Sequence, residues 1–215
     1  MSARRPFAVG IAGGSSSGKS ALIRALVPFL GEGRVAALRY EGYYHDRRDV
    51  PAVQRAALEY EAPDAVDTEL FLEHLATLRA GRAVAPPRFC FSTNRRRSVE
   101  LAVEPRPILL IEGVLLLHDP RVRALLDLTI FLDVPDAMRV SRACRGDAAD
   151  EGYARRSGLH VYDAIARGVH ARYVEPTKAF ADLVLLNAGR LDRVAEIAAT
   201  VILDRVERRA RDAAA

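Results

Sequence analysis

A three-layer α/β fold with a central parallel sheet is predicted by three features of the 215-residue sequence. A glycine-rich stretch, Gly13-Gly14-Ser15-Ser16-Ser17-Gly18-Lys19-Ser20, lies between an apolar run that reads as a buried strand, Phe7 to Ala12, and a segment of helical spacing, Ala21 to Val27. The run Ile108-Leu109-Leu110-Ile111 is continuously apolar up to Glu112, as in a strand covered on both faces. Strand-like and amphipathic helical segments also alternate along the chain, which is how crossover-connected parallel strands are built. One domain over residues 1–215 accommodates all of this, with a sheet of about five strands.

Each element has a local reason. After the first helix, which Pro28 and Gly31-Glu32-Gly33 are expected to end, Arg34 to Arg39 reads as a second strand. Tyr40-Glu41-Gly42-Tyr43-Tyr44-His45-Asp46 then falls at that strand's C-terminal end, the edge where open parallel sheets bind ligands. A short helix is expected from Val50 to Tyr60. Asp67 is placed to cap an amphipathic helix carrying Leu70, Phe71, Leu75 and Leu78, with Gly81 as its stop. Arg88 to Phe91 and Ser98 to Val103 read as a β-hairpin over about 88–103, its turn holding Asn94-Arg95-Arg96-Arg97.

Leu128 to Val134 gives a further strand, and Pro135 opens a helix with Arg139, Arg142 and Arg145 on one face. Residues 146–158 are polar and broken by glycine, the composition of a lid, and a helix from about Leu159 to Tyr173 follows. Leu183 to Leu186 is the last strand. The C-terminal helix is expected to bury Leu191, Val194, Ile197, Ala198, Val201 and Ile202.

Composition narrows the function classes. The net charge of +4 and pI near 9.3 come from basic residues spread along the chain, which argues against a nucleic-acid groove and suits anionic small molecules equally well. Cys90 and Cys144 have no metal-ligand spacing and read as reduced thiols of a cytoplasmic protein. Met1 to Pro6 carries no signal-peptide pattern, and no apolar run approaches a membrane span. Of the 32 Lys and Arg residues only Lys19 and Lys178 are lysine, which marks both as places where a compact, rotatable ammonium is used.

The glycine-rich stretch fits the phosphate-binding loop pattern G-x-x-x-x-G-K-S/T, and its strand–loop–helix context is the required one. Small residues let successive backbone N–H groups converge on one point, and the helix start adds its positive end. Lys19 would reach the terminal phosphates and the Ser20 hydroxyl a magnesium ion. An acid at the end of a neighbouring strand, Glu112, belongs in the same metal shell.

The ordered set G-G-S-S-S-G-K-S, Y-E-G-Y-Y-H-D, Y-E-A-P-D-A-V-D, P-R-F-C-F-S-T-N-R-R, L-L-I-E-G-V-L-L-L and E-P-T-K-A-F-A-D resembles the uridine–cytidine kinase family, relatives of phosphoribulokinase among P-loop kinases, from about Phe7 to Gly189. The resemblance implies a P-loop kinase fold and transfer of the γ-phosphoryl of ATP, with Mg2+, to the 5′-hydroxyl of a pyrimidine nucleoside. It implies that Gly13 to Ser20 hold the ATP phosphates and that Ser20, Glu112 and Glu41 surround the metal. Glu41 stands where the family has its catalytic aspartate, and Glu61 where it has a ribose-binding aspartate. Phe89 and Asn94 match a tyrosine and a histidine that read the base edge, Arg96 an arginine of the same pocket, and Arg139 and Arg142 lid-helix arginines that clamp migrating phosphate. The resemblance also implies a homo-oligomer, tetramer or dimer.

The sequence departs from the family at defined points. Glu replaces Asp at 41 and 61, Ala62 replaces a histidine, and Ala143, Gly146, Glu151 and Tyr153 stand where the family lid repeats arginines. These departures leave open a kinase of another small hydroxylated metabolite, and a nucleotide-binding regulatory protein with little transfer activity.

Overall fold

The computed structural model describes residues 5–50, 62–90, 93, 95–97, 101–145 and 167–214, with side chains except at 144 and 145. Its centre is a five-stranded sheet of β1 (Phe7–Ala12), β2 (Val35–Arg39), β5 (Ile108–Glu112), β6 (Leu128–Asp133) and β7 (Leu183–Leu186), in the order β2-β5-β1-β6-β7. Every pairing is parallel, so all five C-terminal ends share one edge. The central strands β1 and β5 are buried throughout, and edge strand β2 alternates buried and open positions.

Period-two alternation sorts the sheet's side chains into two cores. Phe7, Val9, Ile11, Ile108 and Leu110 join a cluster with Leu22 and Leu26 of α1 (Lys19–Leu30) and Ala195, Ala198 and Ile202 of α5 (Leu191–Asp212). Ala8, Ala12, Leu109 and Ile111 face the other way, into a cluster with Phe71, Leu75 and Leu78 of α2 (Thr68–Arg79). Two further helices are the four-residue α3 (Pro120–Arg123) and α4 (Asp136–Arg145).

The expected three layers and strands are present, with local corrections. Pro28 lies inside α1, which continues to Leu30; Pro28 is exposed, so its ring faces solvent, and Gly31 at φ 91° makes the stop. Ile197 is 51% exposed; Val194, Ala195, Ala198, Ala199 and Ile202 of α5 are buried, and Leu191 and Val201 pack against the same cluster. Alanines let α5 lie close against its neighbours and rotate the larger Ile197 outward. The return strand of the hairpin is β4 (Arg95–Arg97), antiparallel to β3 (Arg88–Cys90), with Phe89 opposite Arg96. The arginine run is therefore strand, not turn, and Val103 makes an isolated bridge to Val84.

The expected helix at Val50–Tyr60 and the lid at 146–158 lie outside the described residues, as does the side chain of Cys144. Cys90 sits on β3. The expected helix ending at Tyr173 is seen from residue 167, passing into a wider turn over His170–Val174. No helix among the described residues is long and apolar enough to cross a membrane.

At the sheet edge away from the strand C-termini, Asp127 gathers several partners. Its carboxylate accepts from Ala8 N at 2.8 Å, from both terminal nitrogens of Arg79 at 2.7 and 3.0 Å and from Arg209 Nη1 at 3.1 Å. Arg209 also donates to the Arg5 carbonyl at 3.1 Å, so the start of β1 and the last turns of α5 are tied at one point.

Candidate active site

The phosphate loop joins β1 to α1 where the two core strands end. Gly13 adopts φ 140°, and a Cβ there would lie 2.5 Å from the Leu132 carbonyl of β6, so the loop can leave the sheet this way only at a glycine. A Cβ at Gly14 would meet Arg139 Nη1 at 2.7 Å and His170 Cε1 at 2.9 Å, so those two side chains cover the loop at that point. Ser15, Ser16 and Gly18 are half-exposed, whereas Ser17 is fully buried.

Lys19 is buried and donates from Nζ to the carbonyls of Gly13 at 3.0 Å and Gly14 at 3.1 Å. The loop thus satisfies its own cation. The Ser17 carbonyl accepts from Arg142 Nη1 at 3.2 Å and from Asn187 Nδ2 at 2.9 Å, and Arg142 Nη2 reaches the Asn187 carbonyl at 2.9 Å. Three elements lock the loop this way: its own turn, α4 and the end of β7. Ser17 Oγ, Arg139 Nε and His170 Nδ1 are buried without a hydrogen-bond partner among the described residues, polar atoms at the loop still able to take one.

Ser20 Oγ donates into the Glu112 carboxylate, 2.9 Å from Oε1 and 2.8 Å from Oε2. The loop hydroxyl and the acid that ends β5 are thus direct neighbours. Glu41 lies in the turn Tyr40–Tyr43 after β2, and its Oε1 accepts from Val114 N at 2.8 Å. Burial pushes its carboxyl up to about 7; the Lys19 ammonium works against that shift, and the neighbouring Glu112 charge adds to it. Glu41, Lys19 and Glu112 thus form one electrostatic group at the edge where β2, β1 and β5 end.

Of the residues expected on the acceptor side, Glu61 and Asn94 lie outside the described residues. Phe89 is buried, with its ring 5.3 Å from that of Tyr44. Arg96 Nη1 donates to Asp67 Oδ2 at 2.8 Å, while Asp67 Oδ1 accepts from Leu70 N at 3.2 Å as the cap of α2. Asp67 N in turn donates to the Tyr43 carbonyl at 2.9 Å, which links hairpin, α2 and the Glu41 turn. Burial pushes the Asp67 carboxyl up, but the Arg96 guanidinium and the Leu70 N–H outweigh it and hold the carboxyl below its ordinary range.

Arg139 is turned back onto Asp136 Oδ1 at 2.6 Å while lying against Gly14. Lys178, the second lysine, bridges Asp133 at 2.7 Å and Glu175 at 3.3 Å, an ion pair that braces the end of β6. Three residues at the site were not singled out in the sequence: Arg39, Asn187 and His170. Arg39 Nε lies 2.9 Å from Glu112 Oε1, and His170 Nε2 lies 3.3 Å from Glu175 Oε2, with burial and the Arg139 charge lowering the His170 pKa. Arg39 and Asn187 stand at or just past the C-terminal ends of strands, which is the signal that could have found them.

Comparison with known proteins identifies the family. The model of the Phosphoribulokinase / Uridine kinase family matches residues 8–193. A uridine kinase of Chloroflexus aggregans is 36% identical over 185 residues, covering 86% of this chain and 88% of its own length. A uridine kinase of Clostridium botulinum is 34% identical over 192 residues, 89% of this chain and 93% of its own. Among solved structures, the phosphoribulokinase from Rhodobacter spheroides superposes with a TM-score of 0.64 at 12% identity over 86% of this chain and 71% of that one, a likeness of fold. With a family match over most of its length and a phosphate loop tied to the acid of the adjacent strand, this chain is a small-molecule kinase and belongs to the phosphoribulokinase/uridine kinase family.

Proposed function

We propose that the protein transfers the γ-phosphoryl group of ATP to the 5′-hydroxyl of a pyrimidine nucleoside, uridine or cytidine, as one kinase domain spanning the chain. The observation that carries this reading is the Glu41 carboxylate, anchored on Val114 N at the same strand edge as the Ser20–Glu112 pair. Phosphoryl transfer needs little covalent help from the protein. It needs the acceptor oxygen held in line and the developing charge neutralised.

The oxygen donors of Ser20, Glu112 and Glu41 fit a hard divalent cation such as Mg2+, which takes one or two carboxylates and completes its shell with water and phosphate oxygens. When bound, that ion would screen the phosphate charge of the donor. The chain's own residues do the rest. Backbone N–H groups of Gly13 to Ser20 hold the phosphates, and Lys19 exchanges the Gly13 and Gly14 carbonyls for phosphate oxygens. Glu41 accepts the hydroxyl proton, a role suited to a carboxyl poised near neutrality. Arg139, already at Gly14, and Arg142, fixed on the Ser17 carbonyl, supply guanidinium charge beside the transferred group.

On the acceptor side, Glu61 takes the ribose hydroxyls and Phe89, Asn94 and Arg96 frame the base, with residues 146–158 as the lid. Incubation with ATP, Mg2+ and a panel of nucleosides and sugar acceptors tests the reading; absence of acceptor-dependent ADP overturns it. A second reading keeps the kinase and changes the acceptor to another small hydroxylated metabolite. It is favoured by Phe89, which has no hydroxyl to offer a base edge and packs on Tyr44, and by Arg96, whose guanidinium is engaged by Asp67. The highest specificity constant falling to uridine and cytidine in the same panel rejects it.

A further inference from the structure

Glu112 carries a partner that the kinase reading leaves unused. Arg39 closes β2 and Glu112 closes β5, and the two are register partners on adjacent parallel strands, so their side chains leave the sheet on the same face. Arg39 Nε approaches Glu112 Oε1 to 2.9 Å, while Ser20 Oγ donates to the same carboxylate. The Glu112 side chain is 4% exposed and that of Arg39 is 44% exposed. A nearly buried anion is thus neutralised by a guanidinium reaching in from the surface.

From this we infer that Arg39 is the resident counter-cation of Glu112, competing with a divalent metal for that carboxylate and lowering the metal affinity of the nucleotide-free protein. The inference rests on Glu112 being a metal ligand, as proposed above. An unpaired buried carboxylate is costly, so Arg39 stabilises the site before metal arrives. A bare divalent ion must displace the guanidinium from Oε1 and then remain close to its positive charge. An ion that arrives with the phosphates of a nucleotide brings negative charge with it and meets less repulsion. Arg39 therefore favours loading of the metal together with the nucleotide over loading of the metal alone.

The test measures binding of Mn2+ to the nucleotide-free protein by the loss of its free-ion electron paramagnetic resonance signal. Arg39→Gln, which removes the charge, is expected to bind Mn2+ about tenfold tighter than the unaltered protein, and Arg39→Lys, which keeps it, to stay within about threefold. Affinity for the Mn2+–nucleotide complex should change less than affinity for Mn2+ alone. Arg39→Ser serves as the second neutral variant should Arg39→Gln not fold. Equal or weaker Mn2+ binding by the neutral variant overturns the inference, as does equal tightening by Arg39→Lys or a lack of Mn2+ binding by every form. These readouts use neither acceptor nor turnover, so failure of the ADP assay and failure of the counter-cation role are separate results.

Discussion

The two halves of the candidate site are held in different ways. On the donor side, the phosphate loop is fixed by β6 through the close approach at Gly13, by α4 through Arg142, by the end of β7 through Asn187 and by β5 through the Ser20–Glu112 pair. The anchors at Leu132, Asn187 and Glu112 lie on or just past strands of the sheet, and only Arg142 among them reaches in from a helix. On the acceptor side, Phe89 and Arg96 sit on strands of three residues each, outside the main sheet. The hairpin is held by the Arg96–Asp67 ion pair and by Phe89 against Tyr44. Under the proposed function, a donor half anchored to the main sheet and an acceptor half attached separately would let the acceptor change while the phosphate chemistry stays the same.

Substitutions can break or sharpen this contrast. The largest effect is expected at Lys19: Lys19→Ala should lower kcat/KM about a thousandfold, because it removes a preorganised charge from the transferred phosphate. A loss below tenfold in steady-state ADP formation would show that the donor half does not depend on its loop lysine. Next comes Glu41→Gln, expected to lower kcat about a hundredfold with nucleotide affinity within about threefold, as befits a proton acceptor that lies between the halves. Equal losses in kcat and nucleotide binding would assign Glu41 to the donor half alone.

Arg96→Ala is expected to raise the acceptor KM about tenfold with the KM for ATP unchanged, since the hairpin loses its tie to Asp67 while the phosphate loop does not. A parallel rise in both KM values would erase the distinction between the halves. The smallest effect is on stability. The folded Glu41 carboxyl is raised from its ordinary 4.5 to about 7, so the folded state holds its proton more tightly than the unfolded chain does. Between those two pH values the native state binds more protons, and stability falls as pH rises, levelling off above about 7. Glu41→Gln lacks this loss, so its melting temperature should gain a few degrees on that of the unaltered protein between acid and neutral pH. Parallel melting curves across that range would remove the predicted burial cost at Glu41.

What was legible in the sequence follows the same division. The strand ending at Glu112, the phosphate loop and the cap at Asp67 are local patterns, and the structure keeps them. The return strand of the hairpin comes earlier than the apolar pattern of the sequence places it, because pairing there runs through the backbone of Arg95 to Arg97, whose side chains carry no apolar alternation. Ile197 was misread because apolar spacing marks a broad stripe on a helix, and the packing of Ala195 and Ala199 decides which side of that stripe is covered. Arg39, Asn187 and His170 reach the site through tertiary proximity, and only strand order brings Arg39 beside Glu112.

The knot at Asp127 has a consequence for how the molecule can be handled. Because Arg209 bonds the Arg5 carbonyl and shares Asp127 with Arg79 and the start of β1, the two outermost described segments meet at the sheet edge remote from the phosphate loop. A short linker could join them and new ends be opened in a surface loop elsewhere, with the register that builds the donor half left intact. By the same geometry, a fusion partner or surface tether attached at either of these segments would sit at the sheet edge opposite the one that carries Glu41 and Glu112.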